Sequence, residues 1–260
     1  MRCGRLFHGF RAGMMLLLLA GSACTIEEGD EVPRRTGTEY AVYEHVRGLD
    51  EAAVVTLRVA AGLDEWLRQT TNAGREAVCN RFFAWGRVYD EGAGNWSLQG
   101  AGRRYDFALS DGLGLGLGDP GASWHVTERV GNEVRSTVTL RAGADGSLQC
   151  VVSAAWWNTY ILYDAAWTVH LSVSEETFEV SAAGDAQMRI EGEQGSVWSV
   201  DYRLMEPLVW SERAGETFCT AGYAVRAACD GAAGRQLEFQ AVRSALGRVT
   251  ITSGGVTEVW

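Results

Sequence analysis

Residues 156–171, WWNTYILYDAAWTVHL, alternate between two kinds of side chain. One set of alternate positions is almost entirely apolar: Trp157, Thr159, Ile161, Tyr163, Ala165, Trp167, Val169 and Leu171. The other set mixes aromatic and polar groups: Trp156, Asn158, Tyr160, Leu162, Asp164, Ala166, Thr168 and His170. A period of two is typical of a β-strand with one face buried, so the stretch predicts a long strand whose apolar face packs on a core.

The same period extends through most of the chain after Ala77. Strand-like runs are predicted at 78–90, 95–99, 103–109, 124–130, 133–141, 147–157, 159–173, 177–182, 186–190, 196–204, 217–225, 235–242, 247–252 and 255–259. Short gaps rich in Gly, Asp, Asn and Ser separate these runs, as in hairpins. Because parallel crossovers need a dozen or more residues, the short gaps favour antiparallel neighbours.

Residues 39–70 have a helical period instead. Apolar residues recur at steps of three or four: Val42, Val46, Leu49, Ala53, Leu57, Ala60, Leu63 and Leu67. This single stripe predicts a long amphipathic helix. Thr36 or Thr38 suits its start and Gly74 its end, while Gly48 is a point where it could divide in two.

Together these patterns predict an α+β fold that is mainly β. We expect a long N-terminal amphipathic helix packed on a curved antiparallel β-meander, half-barrel or barrel-like in shape. Residues 39–260 are expected to form this single helix-plus-sheet domain.

Composition and charge exclude several function classes. All basic residues are Arg, so a Walker loop and a Schiff-base mechanism both lack their lysine. The net charge of −10, without a basic cluster, would be repelled by a phosphate backbone, so we expect no nucleic-acid partner.

The N-terminus has the pattern of a secretory signal peptide over residues 1–23. Arg2, Arg5 and Arg11 precede the apolar stretch 14–20, which is too short to span a bilayer, and small residues follow it. Cleavage would then leave Cys24 as the first residue.

The segment Gly21-Ser22-Ala23-Cys24 resembles the lipobox of bacterial lipoproteins, in which the cysteine is acylated and anchors the protein to a membrane. That family usually has Leu at the position of Gly21, and here the leucines lie two residues upstream. Ordinary secretion is therefore the alternative. It would leave an odd number of mature cysteines, whereas lipidation at Cys24 leaves four.

Residues 24–38 are expected to form the lipidated cysteine and a flexible acidic linker. The segment Glu27-Glu28-Gly29-Asp30-Glu31 resembles the surface-export signals of some Gram-negative lipoproteins. The resemblance implies an exported protein at the outer membrane or cell surface, with a periplasm-facing position as the alternative.

The remaining cysteines suggest a disulfide framework. Cys219 and Cys229 lie on neighbouring strand-like runs and are expected to bridge a hairpin, leaving Cys79 to pair with Cys150. Four cysteines allow two further connectivities. A zinc site is the rival interpretation, but no pair has the spacing of a zinc knuckle, so no metal is predicted.

No catalytic signature emerges, and no cofactor is predicted. His45, His125 and His170 form no metalloprotease motif, and no Gly-x-Ser-x-Gly elbow is present. Enzyme activity therefore stays uncertain, with a non-catalytic role favoured.

The mixed face of residues 156–171 is the predicted ligand surface. Trp156, Asn158 and Tyr160 would contact a ligand, and apolar neighbours would raise the pKa of Asp164. We expect a lipid-anchored cell-envelope protein acting as a binding or structural module, with its membrane as one partner and a glycan or apolar small molecule as a possible ligand. The alternatives are a carrier that holds an apolar ligand between helix and sheet, and a glycan-active hydrolase with paired carboxylates.

Overall fold

The computed structural model describes residues 37–110, 116–154, 162–191, 196–213, 216–230 and 235–260. Its helices are α1 (Gly37–Arg68) and α2 (Asn72–Phe82). The strands are β1 (Arg87–Gly92), β2 (Asn95–Gly100), β3 (Arg103–Ser110), β4 (Ser123–Val130), β5 (Glu133–Ala142), β6 (Leu148–Ala154), β7 (Leu162–Val173), β8 (Thr177–Glu191), β9 (Val197–Arg213), β10 (Glu216–Asp230), β11 (Gln236–Arg243), β12 (Val249–Ser253) and β13 (Val256–Val259). Among these residues, neither helix combines the length and the apolar character needed to span a membrane.

All described strands belong to one antiparallel sheet, in which each strand pairs with its neighbours in the chain. The order runs from β1 to β13 without a crossover, which confirms the predicted meander. The sheet is open, with β1 and β13 as its two edges, so the described strands do not close into a barrel.

Helix α1 lies across the sheet. It contacts β4 as well as β11 and β12, which lie seven and eight positions further along the sheet order. At roughly 4.8 Å between neighbouring strands, these positions are about 30–40 Å apart. The 32-residue helix is about 48 Å long at 1.5 Å per residue, so it is long enough to cross these strands. Its buried residues and the inner faces of the strands form one core.

Burial confirms the predicted stripe on α1 and extends it. Seven of its eight residues, from Val42 to Leu63, are buried, and Leu67 is partly buried. Residues beside the stripe are buried as well, among them Tyr43, Val54 and Val59. The helix is therefore enclosed on several sides, which an amphipathic pattern alone does not predict.

Gly48 does not divide the helix, because α1 continues through it without a break. Gly74 does not end it either. Thr71 caps a second helix, and its hydroxyl accepts a hydrogen bond from the Gly74 backbone N–H at 3.1 Å. The strand predicted at 78–90 is consequently wrong over its first half, where α2 stands; β1 begins only at Arg87. Only Val78 and Phe82 of α2 are buried, so its helical period is weak.

One predicted strand break is a β-bulge. Residues 177–182 and 186–190 form the single strand β8, and the register shifts between Ala182 and Asp185. Gly184 at this shift has a φ of 151°, and a Cβ there would lie 2.4 Å from the Ala166 carbonyl oxygen. A glycine there allows the close approach of two strands, so it marks a bulge and not a turn.

The four described cysteines are free, which corrects the predicted disulfides. Cys219 and Cys229 lie on the same strand, β10, ten residues and about 30 Å apart. A disulfide needs Cα atoms within about 7 Å, so the hairpin bridge is impossible in this fold. Cys79 lies on α2 and Cys150 on β6, and they are not bonded to each other.

Thiol alkylation checks this result. In denaturant without reductant, iodoacetamide should modify Cys79, Cys150, Cys219 and Cys229, each mapped by peptide mass spectrometry. In the native protein Cys150 should react slowest, because its burial raises the pKa of its thiol to about 12. Peptides joined through any of these cysteines would contradict the structure.

A matched pair of glycine substitutions tests the packing of the two helices. A Cβ on Gly62 would lie 2.6 Å from Cβ of Phe82, whereas one on Gly48 meets nothing within 4 Å. We expect Gly62→Ala to lower the free energy of unfolding by about 1–3 kcal/mol through overpacking. Gly48→Ala should raise it by about 0.5–1 kcal/mol through helix propensity. Urea denaturation measures both, and equal effects of the two substitutions would refute this contact.

Candidate functional site: an outer-face groove

The structure describes part of the predicted ligand surface. Trp156, Asn158 and Tyr160 lie outside the described residues. On β7, the core side of the predicted alternation is confirmed at Ala165, Trp167 and Val169, which are buried. Asp164 points to the opposite, exposed face of the sheet. This face, turned away from α1, is called the outer face below.

Asp164 lines a groove of about 780 Å³ that crosses β7 to β12. This outer-face groove is formed by Asp164, Ala166, Asp185, Ala186, Gln187, Asp201, Tyr202, Arg203, Met205, Ala224, Val225, Arg226, Glu238, Phe239, Gln240 and Thr252. It is an open depression and not an enclosed cavity, so its side chains are accessible to a ligand from solvent.

Strand pairing brings the groove residues into two adjacent rows. In the first row, Asp164, Gln187, Asp201, Arg226 and Glu238 lie opposite one another on successive strands. The second row contains Ala166, Asp185, Arg203, Ala224, Gln240 and Thr252. Residues two apart on a strand share a face, so both rows lie on the outer face.

Small side chains and one long apolar one shape the groove. Ala166 and Ala224 carry only a methyl group each in a row otherwise made of longer side chains. Met205 lies at the bulge between β9 and β10, where the register shifts, and it is 44% exposed. The groove thus offers an apolar side chain beside a mainly polar lining.

The charges of the groove are unevenly paired. Arg226 and Glu238 form an ion pair at 3.3 Å, and because both side chains are more than 70% exposed it adds little to stability. Within the described parts of the chain, Asp164, Asp185, Asp201 and Arg203 form no ion pair. These groups keep their hydrogen-bonding capacity for water or for a ligand.

This arrangement suits binding more directly than covalent chemistry. The groove combines carboxylate acceptors, guanidinium and amide donors and a hydroxyl, and the described residues that line it include no histidine, cysteine or serine. Over the residues that the structure describes, no group of three or more His, Cys, Asp or Glu side chains could hold a metal ion. His45, His125 and His170 lie on α1, β4 and β7, outside the groove lining.

A smaller depression of about 250 Å³ lies at the other end of the outer face. Trp96, Arg104, Asp106 and His125 are among the residues that line it. The two Asp106 oxygens bind the Nε atoms of Arg104 and Arg129, and His125 Nδ1 lies 3.1 Å from the Thr139 hydroxyl. Several of its polar side chains already bind one another, so this depression is a weaker candidate for a ligand site than the outer-face groove.

A polar cluster is buried on the opposite side of the strands that carry the groove. Tyr202, between Asp201 and Arg203 on β9, points inward, and its hydroxyl donates to Oδ1 of Asp50 at 2.8 Å. The Tyr223 hydroxyl of β10 donates to Oδ2 of Asp50 at 2.5 Å. One carboxyl group of α1 is therefore bound to two adjacent strands of the sheet.

Most of these residues could not be identified as site residues from the sequence alone. Several of them occupy outward positions of strands: Asp185, Asp201, Arg203 and Arg226. Charged residues are common on exposed faces, so they do not by themselves indicate a site. Asp50 lies among polar helix residues, next to Glu51. Only the register of β7 to β11 brings the outward residues together, and register depends on long-range pairing.

No protein-family model, no curated protein and no solved structure matches this chain significantly.

Proposed function

We propose that this chain is a lipid-anchored cell-envelope protein that acts as a non-catalytic binding module, with the outer-face groove as its binding site. Export and acylation at Cys24 would hold it at the outer membrane or cell surface. The sheet would form an open half-barrel around α1 and present the groove to a polar ligand such as a glycan. The groove of about 780 Å³, with its unpaired carboxylates and Arg203, is the observation that carries this proposal.

The packing of the interior favours the outer face as the binding surface. Tyr43, Val46 and Leu49 on α1 have 0% exposure, and Ala165 and Val169 on β7 are equally enclosed. Side chains that line a water-sized cavity would retain some accessible surface, so these residues are fully packed. A filled helix–sheet interface counts against a carrier that holds an apolar ligand there.

Glycan hydrolysis is the second candidate, supported by the carboxylates of the groove. Asp185 and Asp201 are diagonal neighbours on β8 and β9, because Asp185 pairs with Arg203 and Gln187 with Asp201. Such neighbours lie about 7–8 Å apart, within the range of carboxyl pairs in inverting glycosidases. Among the described residues that line the groove there is no tryptophan on which a sugar ring could stack, and binding is therefore the first candidate.

Metabolic labelling tests the anchor. Cells that express the full chain and are fed radiolabelled palmitate should yield a labelled protein, and Cys24→Ala should abolish the label. Cys3→Ala is the matched control, since Cys3 lies in the segment expected to be removed, and it should leave the label intact. Label retained by Cys24→Ala, or a processed protein free of lipid, would remove the membrane from the proposal.

Chemical-shift mapping tests the groove. Soluble glycans and peptidoglycan fragments are titrated into isotope-labelled protein, and a binder should shift the amides of β7 to β11. Ala224→Trp should reduce binding at least tenfold by filling the groove, whereas Val242→Trp, an outer-face control outside the groove lining, should not.

Turnover of the same panel separates binding from hydrolysis. The binding proposal expects intact fragments after prolonged incubation with the wild-type protein. Cleavage that is lost in Asp164→Asn, Asp185→Asn or Asp201→Asn would establish the hydrolase instead. Shifts confined to other parts of the protein, or equal binding by both tryptophan variants, would exclude the groove as the site.

A further inference from the structure

Asp50 is a buried acidic group that neither the anchor nor the groove uses. Its side chain is 2% exposed, on a helix that is itself enclosed by the sheet. Its two oxygens accept hydrogen bonds from Tyr202 on β9 and Tyr223 on β10. The ring of Tyr43 packs edge-on against Tyr223 at 5.7 Å and closes the cluster on the α1 side.

The carboxyl group has no cation as a direct partner in the described structure. The positive charge of Arg243 on β11 acts on it from a distance, and this guanidinium pairs with Glu51 at 3.4 Å. Glu51 itself opposes a negative charge on Asp50. The thiol of Cys219 on β10 also faces the cluster, and Arg47 on α1 acts on both Cys219 and Tyr43. Removing an unpaired carboxylate from water is costly, so this site favours the neutral acid.

We propose that Asp50, Tyr202 and Tyr223 form an acid latch that fastens α1 to the sheet most tightly in mildly acidic solution and loosens as the pH rises towards neutrality. The latch is a property of the folded domain and rests neither on the anchor nor on ligand binding in the groove, although Tyr202 also belongs to the groove lining.

The stability of the folded protein should fall as the pH rises, because the folded chain binds a proton at Asp50 more tightly than the unfolded chain does. Burial raises the pKa of Asp50 to about 7, although the hydrogen bonds from Tyr223 and Tyr202 oppose this rise. In the unfolded chain the carboxyl group has a pKa of about 3.9. Between these values the unfolded chain releases a proton that the folded protein retains. The folding equilibrium constant therefore falls about tenfold for each pH unit from about 4 to about 7, and this contribution is constant above that range.

Other buried groups also titrate in this window, so the test needs a difference between variants. Burial lowers the pKa of His45, which makes stability rise with pH as an unfolded-chain histidine loses its proton near pH 6.5. Burial raises the pKa of Asp64, which acts in the same direction as Asp50. Both contributions cancel when the wild type is compared with a variant altered only at Asp50.

The decisive experiment is urea denaturation of wild type and Asp50→Asn from pH 4.5 to pH 7.5. Asparagine keeps the shape and stays neutral, so the ratio of wild-type to variant folding constants should fall about 200-fold over this range. Asp230→Asn, an exposed aspartate on β10, is the matched control, and its ratio to wild type should stay constant. A constant ratio for Asp50→Asn as well would overturn the latch.

A direct titration keeps the test valid if Asp50→Asn does not fold. The carboxyl carbon of Asp50 in the wild-type protein, followed by NMR, should titrate near pH 7. Tyr223→Phe removes one donor to the carboxylate, so it should move that midpoint to a higher pH. A carboxyl carbon that titrates near pH 4 in the wild type, or a midpoint that Tyr223→Phe leaves unchanged or lowers, would show that no latch exists.

Discussion

The burial of α1 against the sheet is the constraint on which the rest of the structure depends. A single sheet with one apolar face must cover that face, and here one helix covers it from β4 to β12. Tyr43, Val46 and Leu49 are fully buried because strands approach the helix from several directions. The outer-face groove lies on the other side of these strands, where the described side chains are accessible to a ligand.

The sequence predicted the parts of the fold that depend on local periodicity. The stripe from Val42 to Leu63 located α1, and alternation along β7 assigned Ala165, Trp167 and Val169 to the core. Predictions based on single residues were less successful. Gly74 was interpreted as the end of a helix, and residues 183–185 were left as a gap between two strands. Gly74 instead lies in the capped first turn of α2, and Gly184 lies in a bulge inside β8. Glycine occurs where a side chain is not tolerated or not needed. Several kinds of local structure meet that condition, so a glycine alone does not tell a turn from a helix terminus or a bulge.

The candidate site was predictable to a smaller extent than the fold. Asp164 was identified because aromatic residues flank it, whereas Asp185, Asp201 and Arg203 join it only through pairing between strands distant in sequence. The disulfide prediction failed for a related reason. Cys219 and Cys229 were assigned to two runs, but one uninterrupted strand carries both. Strand length, like register, is decided by neighbours in the sheet and not by the strand itself.

The strand order has a consequence for how this chain acquires its structure. Each strand pairs only with the next one, so the sheet can grow hairpin by hairpin with small losses of loop entropy. The helix that completes the core precedes all of these strands, and it contacts β11 and β12 near the other end of the chain. Its apolar surface stays uncovered until the C-terminal hairpins form. An exported chain would pass through this stage after translocation, when aggregation competes most strongly with folding.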